Sequence, residues 1–224
     1  MPERLVVVIG THTDVGKTWV TAATAQALGS LGLAVAARKP VESFEASGGP
    51  TDSELLAAAT AEDPALVCPR HRRYEVAMAP PMAADALGRP PFTIAELLGE
   101  LRLPPRGIAL VETVGGPRSP IAADGDSVAL TGALQPDDVV LVGDAGLGAI
   151  NALALSAAAL EPHPCHVFLN RFDAGDELHV ANRCWLRERL GIDALVDVAD
   201  LAALLSAGLS PGRPDDLDAR VAVS

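Results

Sequence analysis

The chain has 224 residues, with 17 Lys and Arg against 29 Asp and Glu, so its formal net charge is −12 at pH 7. Hydrophobic residues make up 49% and charged residues 21% of the chain, which excludes a largely disordered protein. The negative charge argues against nucleic acid or an anionic membrane as the main partner, because both would repel this surface.

The cysteines and the apolar segments bear on the cellular compartment. Cys68, Cys165 and Cys184 are dispersed and form no CxxC pair, which is typical of reduced thiols in a cytoplasmic protein. The first residues lack the basic segment and the apolar run of a signal peptide. The Ala-rich stretch 145–160 is interrupted by polar residues, so we expect no membrane span.

Short apolar runs alternate along the chain with longer segments of helical spacing. The runs predict five strands, at Leu5–Ile9, Leu33–Ala37, Ile108–Val111, Val139–Val142 and Val167–Leu169. The spacing predicts helices at Lys17–Ser30, Thr51–Ala61, Asn151–Leu160 and Leu178–Leu190. Buried strands that alternate with helices need crossover connections. The pattern therefore predicts an α/β fold with a mainly parallel central sheet and helices on both faces.

The whole chain, residues 1–224, is predicted to form a single domain. Residues 62–106, rich in Pro and Arg, are interpreted as an excursion of that domain with one short helix, Ile94–Leu101. The basic cluster Arg70–Arg73 within it is interpreted as a solvated surface. The last stretch, Ser206–Ser224, is predicted to be a polar tail.

The strongest motif is Gly10-Thr-His-Thr-Asp-Val-Gly-Lys-Thr18, which lies between the first predicted strand and the first predicted helix. In this position, backbone N–H groups and a helix N-terminus converge on one anion, and Gly16 permits close approach. Lys17 would reach the β- and γ-phosphates of a nucleotide, and the Thr18 hydroxyl would bind Mg²⁺. The segment departs from the strict spacing of its glycines, but its context predicts a P-loop NTPase-like fold.

Charged residues follow two further strands at the edge where parallel strands present their carboxyl ends. Lys39 follows the second predicted strand and is either a solvated charge or a group that faces the phosphate loop. Asp52 begins the next predicted helix and can cap it, bind Mg²⁺ or do both. Glu112 ends the third predicted strand and is either a metal-side carboxylate or an exposed acid at a turn. The pair Gly115–Gly116 then permits close backbone approach.

Taken in order, these residues resemble the dethiobiotin synthetase family. The resemblance rests on the phosphate loop and Asp52, and on the segments Lys39-Pro-Val41, Val111-Glu-Thr-Val-Gly-Gly116 and Leu147-Gly-Ala-Ile-Asn151. Asn170 matches the Asn that recognises adenine in that family. The resemblance implies an ATP-dependent cyclo-ligase of biotin biosynthesis. Such an enzyme carboxylates 7,8-diaminononanoate through a carbamate and a carbamic-phosphoric anhydride and closes the ureido ring.

The resemblance also implies roles for individual residues. The catalytic residues would be Thr13, Lys17 and Lys39, with Thr13 on the carbamate. The Mg²⁺ ligands would be Thr18, Asp52 and Glu112. The ATP contacts would be Asp14, Val15, Gly16, Lys17, Thr18, Glu112, Gly115, Gly116 and Asn170. The substrate would contact Ser43 and, across a homodimer with a shared active site, Gly148, Ala149, Ile150 and Asn151.

Several positions depart from the family pattern, and two of them leave alternatives open. The family sequence Glu-Gly-Ala-Gly-Gly is Glu112-Thr-Val-Gly-Gly116 here, so Thr113 and Val114 bring larger side chains close to the phosphates. A divergent or inactive paralogue is therefore one alternative, and another P-loop amide-forming ligase is a second. A nucleotide-switch ATPase that binds DNA is a third, which the net charge disfavours.

Overall fold

A computed structural model describes residues 1–210, and a five-stranded parallel sheet lies at its centre. Numbered in chain order over all strands, its members are β1 (Arg4–Gly10), β2 (Val35–Arg38), β5 (Ile108–Glu112), β8 (Asp138–Asp144) and β9 (Cys165–Asn170). Their spatial order is β2-β5-β1-β8-β9. The five predicted strands are confirmed, with small shifts at their ends.

Four short strands form two smaller sheets beside the main one. They are β3 (Glu42–Ser43), which pairs in parallel with β4 (Arg73–Tyr74), and β6 (Pro120–Ala122), which pairs antiparallel with β7 (Gly125–Asp126). Strands of two or three residues carry no periodic signal, so the sequence did not predict them.

The helices of the described chain are α1 (Lys17–Ser30), α2 (Asp52–Thr60), α3 (Pro64–Val67), α4 (Pro80–Ala86), α5 (Ile94–Glu100), α6 (Ser127–Leu134), α7 (Ala149–Leu160), α8 (Glu177–Leu190) and α9 (Val198–Ser206). The long predicted helices are confirmed as α1, α2, α7 and α8, and the short one as α5. The sequence did not predict α3, α4, α6 or α9. The predicted tail begins at the last residue of α9, and its residues 211–224 lie outside the described part of the chain.

Alternate residues of the strands pack against helices on opposite faces of the sheet. Val7 and the residues two positions before and after it on β1 pack with Leu153 of α7 and Leu186 of α8. Val6 and Val8 face the other side, where Leu28 of α1 and residues of α9 pack. Because successive side chains of a strand point to opposite faces, both faces are buried. Helices on both faces of the sheet are therefore confirmed.

The parallel register brings the carboxyl ends of three strands to one edge. Val8 of β1 lies beside Glu112 of β5, and Arg38 of β2 lies beside Val111 of β5. Lys39 follows β2 directly, and the phosphate loop follows β1. The register therefore places these groups at the same end of the sheet, where ligands of open α/β folds bind.

Residues 62–106, the predicted excursion, pack around a buried pair of aromatic rings. Tyr74 and Phe92 are buried and stacked, with ring centroids 5.8 Å apart. The guanidinium of Arg72 lies 4.6 Å from the centroid of the Phe92 ring and donates two hydrogen bonds of 2.7 Å to Glu100. The interpretation of Arg70–Arg73 as a solvated surface is therefore wrong for Arg72, because an acidic partner and an aromatic ring compensate its burial.

The three cysteines are free thiols, and burial raises the pKa of Cys165 to about 11. Within residues 1–210, no helix has both the length and the apolar character needed to cross a membrane.

Candidate active site

The phosphate loop connects the end of β1 to the start of α1. Gly16 caps α1 with φ 93°, and a Cβ atom there would lie 2.1 Å from Nδ2 of Asn170, so only glycine fits. In the described structure no side chain hydrogen-bonds to the first N–H groups of α1. These donors and the helix dipole therefore favour an anion at this point.

Two lysine side chains from different elements line one cavity of about 640 Å³ beside this loop. Lys17 begins α1, and its Nζ donates a 3.2 Å hydrogen bond to the carbonyl oxygen of His12. Lys39 follows β2 and is only 3% exposed. Of the two interpretations of Lys39, the solvated charge is wrong, and the group that faces the phosphate loop is confirmed.

Glu112 is fully buried and receives hydrogen bonds from three side chains. Lys39 Nζ donates to Oε1 at 2.6 Å and also to Asp52, while Thr18 Oγ1 donates to Oε1 at 2.9 Å. Thr21 Oγ1 donates to Oε2 at 2.9 Å. These bonds offset the cost of burying the carboxylate. Glu112 is therefore not an exposed acid at a turn.

Thr21 is a site residue that sequence reasoning missed. Its hydroxyl reaches the same carboxylate as that of Thr18, three residues earlier on α1. Helical residues three apart lie on one face, so a polar Thr on the face of Thr18 was an available signal.

The charges of this cluster are coupled. Burial, together with the neighbouring ammonium of Lys39, lowers the pKa of Lys17. Burial also acts to lower the pKa of Lys39, but Glu112 and Asp52 outweigh it and raise that pKa above the usual lysine value. Burial acts to raise the pKa of Asp52, but Lys39 outweighs it and lowers that pKa. Lys39 and Asp52 are therefore held as a charged pair.

The same cluster fits Mg²⁺ by the chemistry of its donors. Thr18, Asp52 and Glu112 offer hydroxyl and carboxylate oxygens that converge around Lys39. Mg²⁺ typically takes one or two carboxylates and completes its shell with water and substrate phosphates. Residues 1–210 hold no group of three or more His, Cys, Asp or Glu side chains that could bind a metal. Two carboxylates and one hydroxyl leave coordination positions for water and for phosphate oxygens, as Mg²⁺ sites in nucleotide-binding proteins do.

The turn after β5 shows what the two larger residues of this chain do. Thr113 is fully buried, and its hydroxyl donates to the carbonyl oxygen of Val8 at 3.4 Å, away from the cavity. Val114 lines the cavity. At Gly116 a Cβ atom would lie 2.6 Å from the carbonyl oxygen of Thr11, so the turn packs tightly on the phosphate loop. Of the two larger residues, only Val114 therefore takes up space in the cavity, and Thr113 does not.

A second cavity of about 430 Å³ adjoins the first, since Gly16 and Arg171 line both. Asn170 lies at its inner wall, and its Nδ2 donates a 2.9 Å hydrogen bond to the carbonyl oxygen of Val15. Trp19 lies on the wall of the same cavity with 59% of its surface exposed. The exposed indole therefore lies on the face of α1 that borders the cavity.

Arg171 joins the two cavities and was missed by sequence reasoning. Its Nη2 donates to the carbonyl oxygen of Asp14 at 3.1 Å, and its Nη1 lies 3.4 Å from Oδ1 of Asp144. Asn170 and Arg171 thus hold two consecutive carbonyl oxygens of the phosphate loop from the end of β9. A basic residue directly after the predicted Asn170 was the available signal.

Comparisons with known proteins agree with this geometry. A model of the AAA domain family matches residues 4–183. An ATP-dependent dethiobiotin synthetase BioD of Rhodococcus jostii is 37% identical over 158 residues, which cover 70% of this chain and 67% of that protein. Another, from a Mycobacterium species, is 31% identical over 226 residues, which cover 96% of this chain and 92% of that protein. The chain belongs to the dethiobiotin synthetase family. It is therefore an ATP-dependent enzyme that forms C–N bonds.

Solved structures show how far the fold extends beyond the dethiobiotin synthetase family. A plasmid partition protein of Borrelia burgdorferi bound to AMPPNP aligns over 90% of both chains with a TM-score of 0.54 and 12% identity. The signal recognition particle receptor FtsY of Elizabethkingia anophelis aligns over 90% of this chain and 65% of that chain, with a TM-score of 0.52 and 14% identity. These likenesses concern the fold alone, which is confirmed as P-loop NTPase-like.

Most residues that the dethiobiotin synthetase resemblance singled out come together at the sheet edge. The first cavity is lined by the predicted residues Thr13, Asp14, Gly16, Lys17, Thr18, Lys39, Ser43, Asp52 and Gly115. Three further predicted residues do not line the cavity. Glu112 pairs with Lys39, Val15 is buried in the core, and Gly116 packs against the phosphate loop. Met78 also lines this cavity beside Ser43, whose hydroxyl donates to the Met78 carbonyl oxygen at 2.5 Å. Sequence reasoning did not name Met78 as a site residue.

The residues predicted to bind the substrate tail follow β8 at the same end of the sheet but lie outside both cavities. Gly148 caps α7 with φ 89°, followed by Ala149, Ile150 and Asn151 in the first turn. In the described part of the chain, these residues line neither cavity. The preceding Leu147 is 94% exposed. Their role in the dethiobiotin synthetase reaction stays a prediction that requires a second copy.

Proposed function

We propose that the protein makes dethiobiotin from 7,8-diaminononanoate, CO₂ and ATP in biotin biosynthesis. The observation that carries the proposal is the presence of Lys17 and Lys39 in one cavity beside the phosphate loop. A carbamate and a triphosphate are both anions, so the reaction needs cations where the two meet. Thr13 and Ser43 line the same cavity and offer hydroxyl groups to the carbamate and to the rest of the substrate.

The reaction proposed here has three bond-forming steps. One amine adds to CO₂ and loses a proton, which gives a carbamate. A carbamate oxygen attacks the γ-phosphorus while the bond to ADP breaks, which gives a carbamic-phosphoric anhydride. The second amine attacks the carbonyl carbon, phosphate leaves with the bonding electrons, and loss of a proton leaves the cyclic urea.

The chain would contribute mainly charge and position to these steps. Lys17, at the start of α1, is placed to contact the phosphates, and Lys39 keeps its proton because Glu112 and Asp52 raise its pKa. Thr18, Asp52 and Glu112 would hold Mg²⁺, which supplies charge neutralisation of the phosphates when bound. Asn170 would recognise the base from the second cavity.

We also propose a cytoplasmic homodimer with a shared site. The N-terminus of α7 has no side-chain cap within the described residues, so its N–H groups suit a carboxylate. Gly148–Asn151 of one copy would bind the substrate's carboxylate in the other copy. The net charge of −12 supports small molecules as the ligands, with neither nucleic acid nor a membrane as a partner.

Turnover with defined substrates tests this proposal. Purified protein with ATP, Mg²⁺, bicarbonate and 7,8-diaminononanoate is expected to release ADP and a product with the mass of dethiobiotin. Omission of the diamine or of bicarbonate should abolish both. ADP release that ignores the two substrates contradicts the proposal, and amide formation from ammonia and other carboxylic acids supports the amide-ligase alternative.

The larger residues after Glu112 give a test of the inactive-paralogue alternative. Because only Val114 faces the cavity, V114A should account for any gain in turnover, and T113G should give none. Turnover by the unchanged protein contradicts the inactive paralogue directly. Nucleotide binding without turnover, with a gain on V114A, supports it.

A further inference from the structure

An ion pair outside the two cavities contacts both neighbours of Asp52. Glu42 of β3 is 2% exposed, and its carboxylate accepts hydrogen bonds from the backbone N–H and the hydroxyl of Ser53, at 2.9 and 2.6 Å. Arg73 of β4 donates through Nε to Glu42 at 2.7 Å. The parallel pairing of β3 with β4 sets Glu42 opposite Arg73, so the short sheet builds this contact.

The guanidinium of Arg73 also contacts the residue that precedes Asp52 and a further residue of the first turn of α2. Arg73 Nη2 donates to Oγ1 of Thr51 at 2.9 Å and to Oε1 of Glu54 at 3.1 Å. Thr51 and Glu54 already form the capping box of α2, so the helix end is capped without Arg73. Glu42 and Arg73 therefore add a second set of bonds, which fixes the residues before and after Asp52.

The burial of this network indicates that it does more than cap a helix. A carboxylate that is almost fully buried is costly unless its hydrogen bonds are satisfied. Glu42 meets this cost with three donors, two of which belong to Ser53. The result is a first turn of α2 with little freedom to rotate, from which the Asp52 side chain reaches Lys39.

We propose that Glu42 and Arg73 are positioning residues that hold Asp52 against Lys39 and so set how the site binds the magnesium–nucleotide complex. This inference rests on the proposed function. Neither residue lines the cavity, so both act through Asp52. Outer partners that orient a metal-binding carboxylate typically change metal affinity by about 10–100-fold when they are removed.

The test measures nucleotide binding as a function of Mg²⁺ concentration, with dethiobiotin formation as a separate readout. The variants are Glu42→Gln, which removes the charge at the same size, and Arg73→Gln, which breaks the bridge. Arg73→Lys keeps the charge but cannot bridge Thr51, Glu42 and Glu54 together. Calorimetric titration with ATP over a series of free Mg²⁺ concentrations gives the half-saturating Mg²⁺ value.

Arg72→Gln is the matched control. It removes the neighbouring arginine, which is itself more deeply buried than Arg73 and donates to Glu100 of α5 instead of to α2. The control should lower the melting temperature and leave the Mg²⁺ requirement unchanged. E42Q and R73Q should raise the half-saturating Mg²⁺ concentration about tenfold, with R73K between them and the unchanged protein.

The outcomes separate this inference from the proposed function. A shifted Mg²⁺ requirement in E42Q and R73Q supports the inference even if no dethiobiotin forms, in which case only the proposed function fails. An unchanged Mg²⁺ requirement in a folded E42Q or R73K overturns the inference, whatever the product. An equal shift in R72Q also overturns it, because the effect is then general loss of stability.

Discussion

The two regions proposed to bind anions, the sheet edge at the phosphate loop and the N-terminus of α7, offer different groups. The sheet edge offers lysine side chains, whereas α7 offers backbone N–H groups. At the sheet edge, Lys39 forms ion pairs with both Asp52 and Glu112. At α7, Leu147 and Gly148 are exposed, and the first turn of the helix lines neither cavity in the described structure. Under the proposed function, the nucleotide would therefore be bound by residues of one chain, whereas the carboxylate of the substrate would need residues of a second copy.

The largest effect is expected where buried charges depend on each other. Lys39→Met leaves Asp52 and Glu112 facing each other without their cation, so turnover should fall by about three orders of magnitude. The free energy of unfolding should drop by about 3–5 kcal/mol, as when one partner of a buried ion pair is removed. Single-turnover kinetics and chemical denaturation measure the two effects. A variant with normal turnover would place the chemistry elsewhere.

A change at α7 should affect the substrate and spare the nucleotide. Leu147→Asp puts a charge on the face proposed to contact a second copy, so the dimer should dissociate. The KM of the diamine should rise about thirtyfold, which corresponds to the loss of an anchor worth about 2 kcal/mol. Sedimentation and steady-state kinetics check this, with Leu190→Asp on α8 as the control. If the KM of ATP rose as much as the KM of the diamine, the two substrates would not be bound by separate regions, which would contradict the prediction.

A smaller effect is expected at the junction of the two cavities. Arg171→Met keeps the length of the side chain but removes the bond to the carbonyl oxygen of Asp14. The side chain is 64% exposed, so water weakens its electrostatic contribution. The KM of ATP should therefore rise by only about fivefold, with the diamine KM unchanged. A rise in the KM of the diamine with an unchanged KM of ATP would indicate that Arg171 contacts the diamine and not the nucleotide.

The smallest effect is a dependence of ATP affinity on pH. The protonated amine of Lys17 attracts phosphates, and burial lowers its pKa, so this charge is lost at a lower pH than for an ordinary lysine. Lys39 keeps its proton over the same range because its pKa is raised. The dissociation constant of ATP should therefore begin to rise at a pH below 10.5, the usual lysine value. Binding that stays constant through this value would contradict the assignment.

The sequence predicted the elements whose pattern is local or repeats along the chain. Strand β1 is a continuous apolar run, and α1 keeps the bounds that helical spacing gives it. The meeting of Lys39 with Glu112 followed from the rule that parallel strands end at one edge. Helix α9 was also within reach, since Asp197 caps it and Leu201 and Leu205 share one face.

The contacts that were missed depend on distant pairings. The position of Glu42 relative to Arg73 is set by strands of two residues each, which leave no periodic signal. Arg72 and Arg73 belong to one basic cluster, yet their acidic partners lie on other elements. A count of charges in the sequence cannot identify such partners, so the cluster was interpreted as a surface.

The ammonium group between Asp52 and Glu112 also bears on how the protein matures. Because the chain carries its own counter-ion for these two carboxylates, their repulsion is balanced from within. Folding of a newly made chain then needs no dissolved cation at this point.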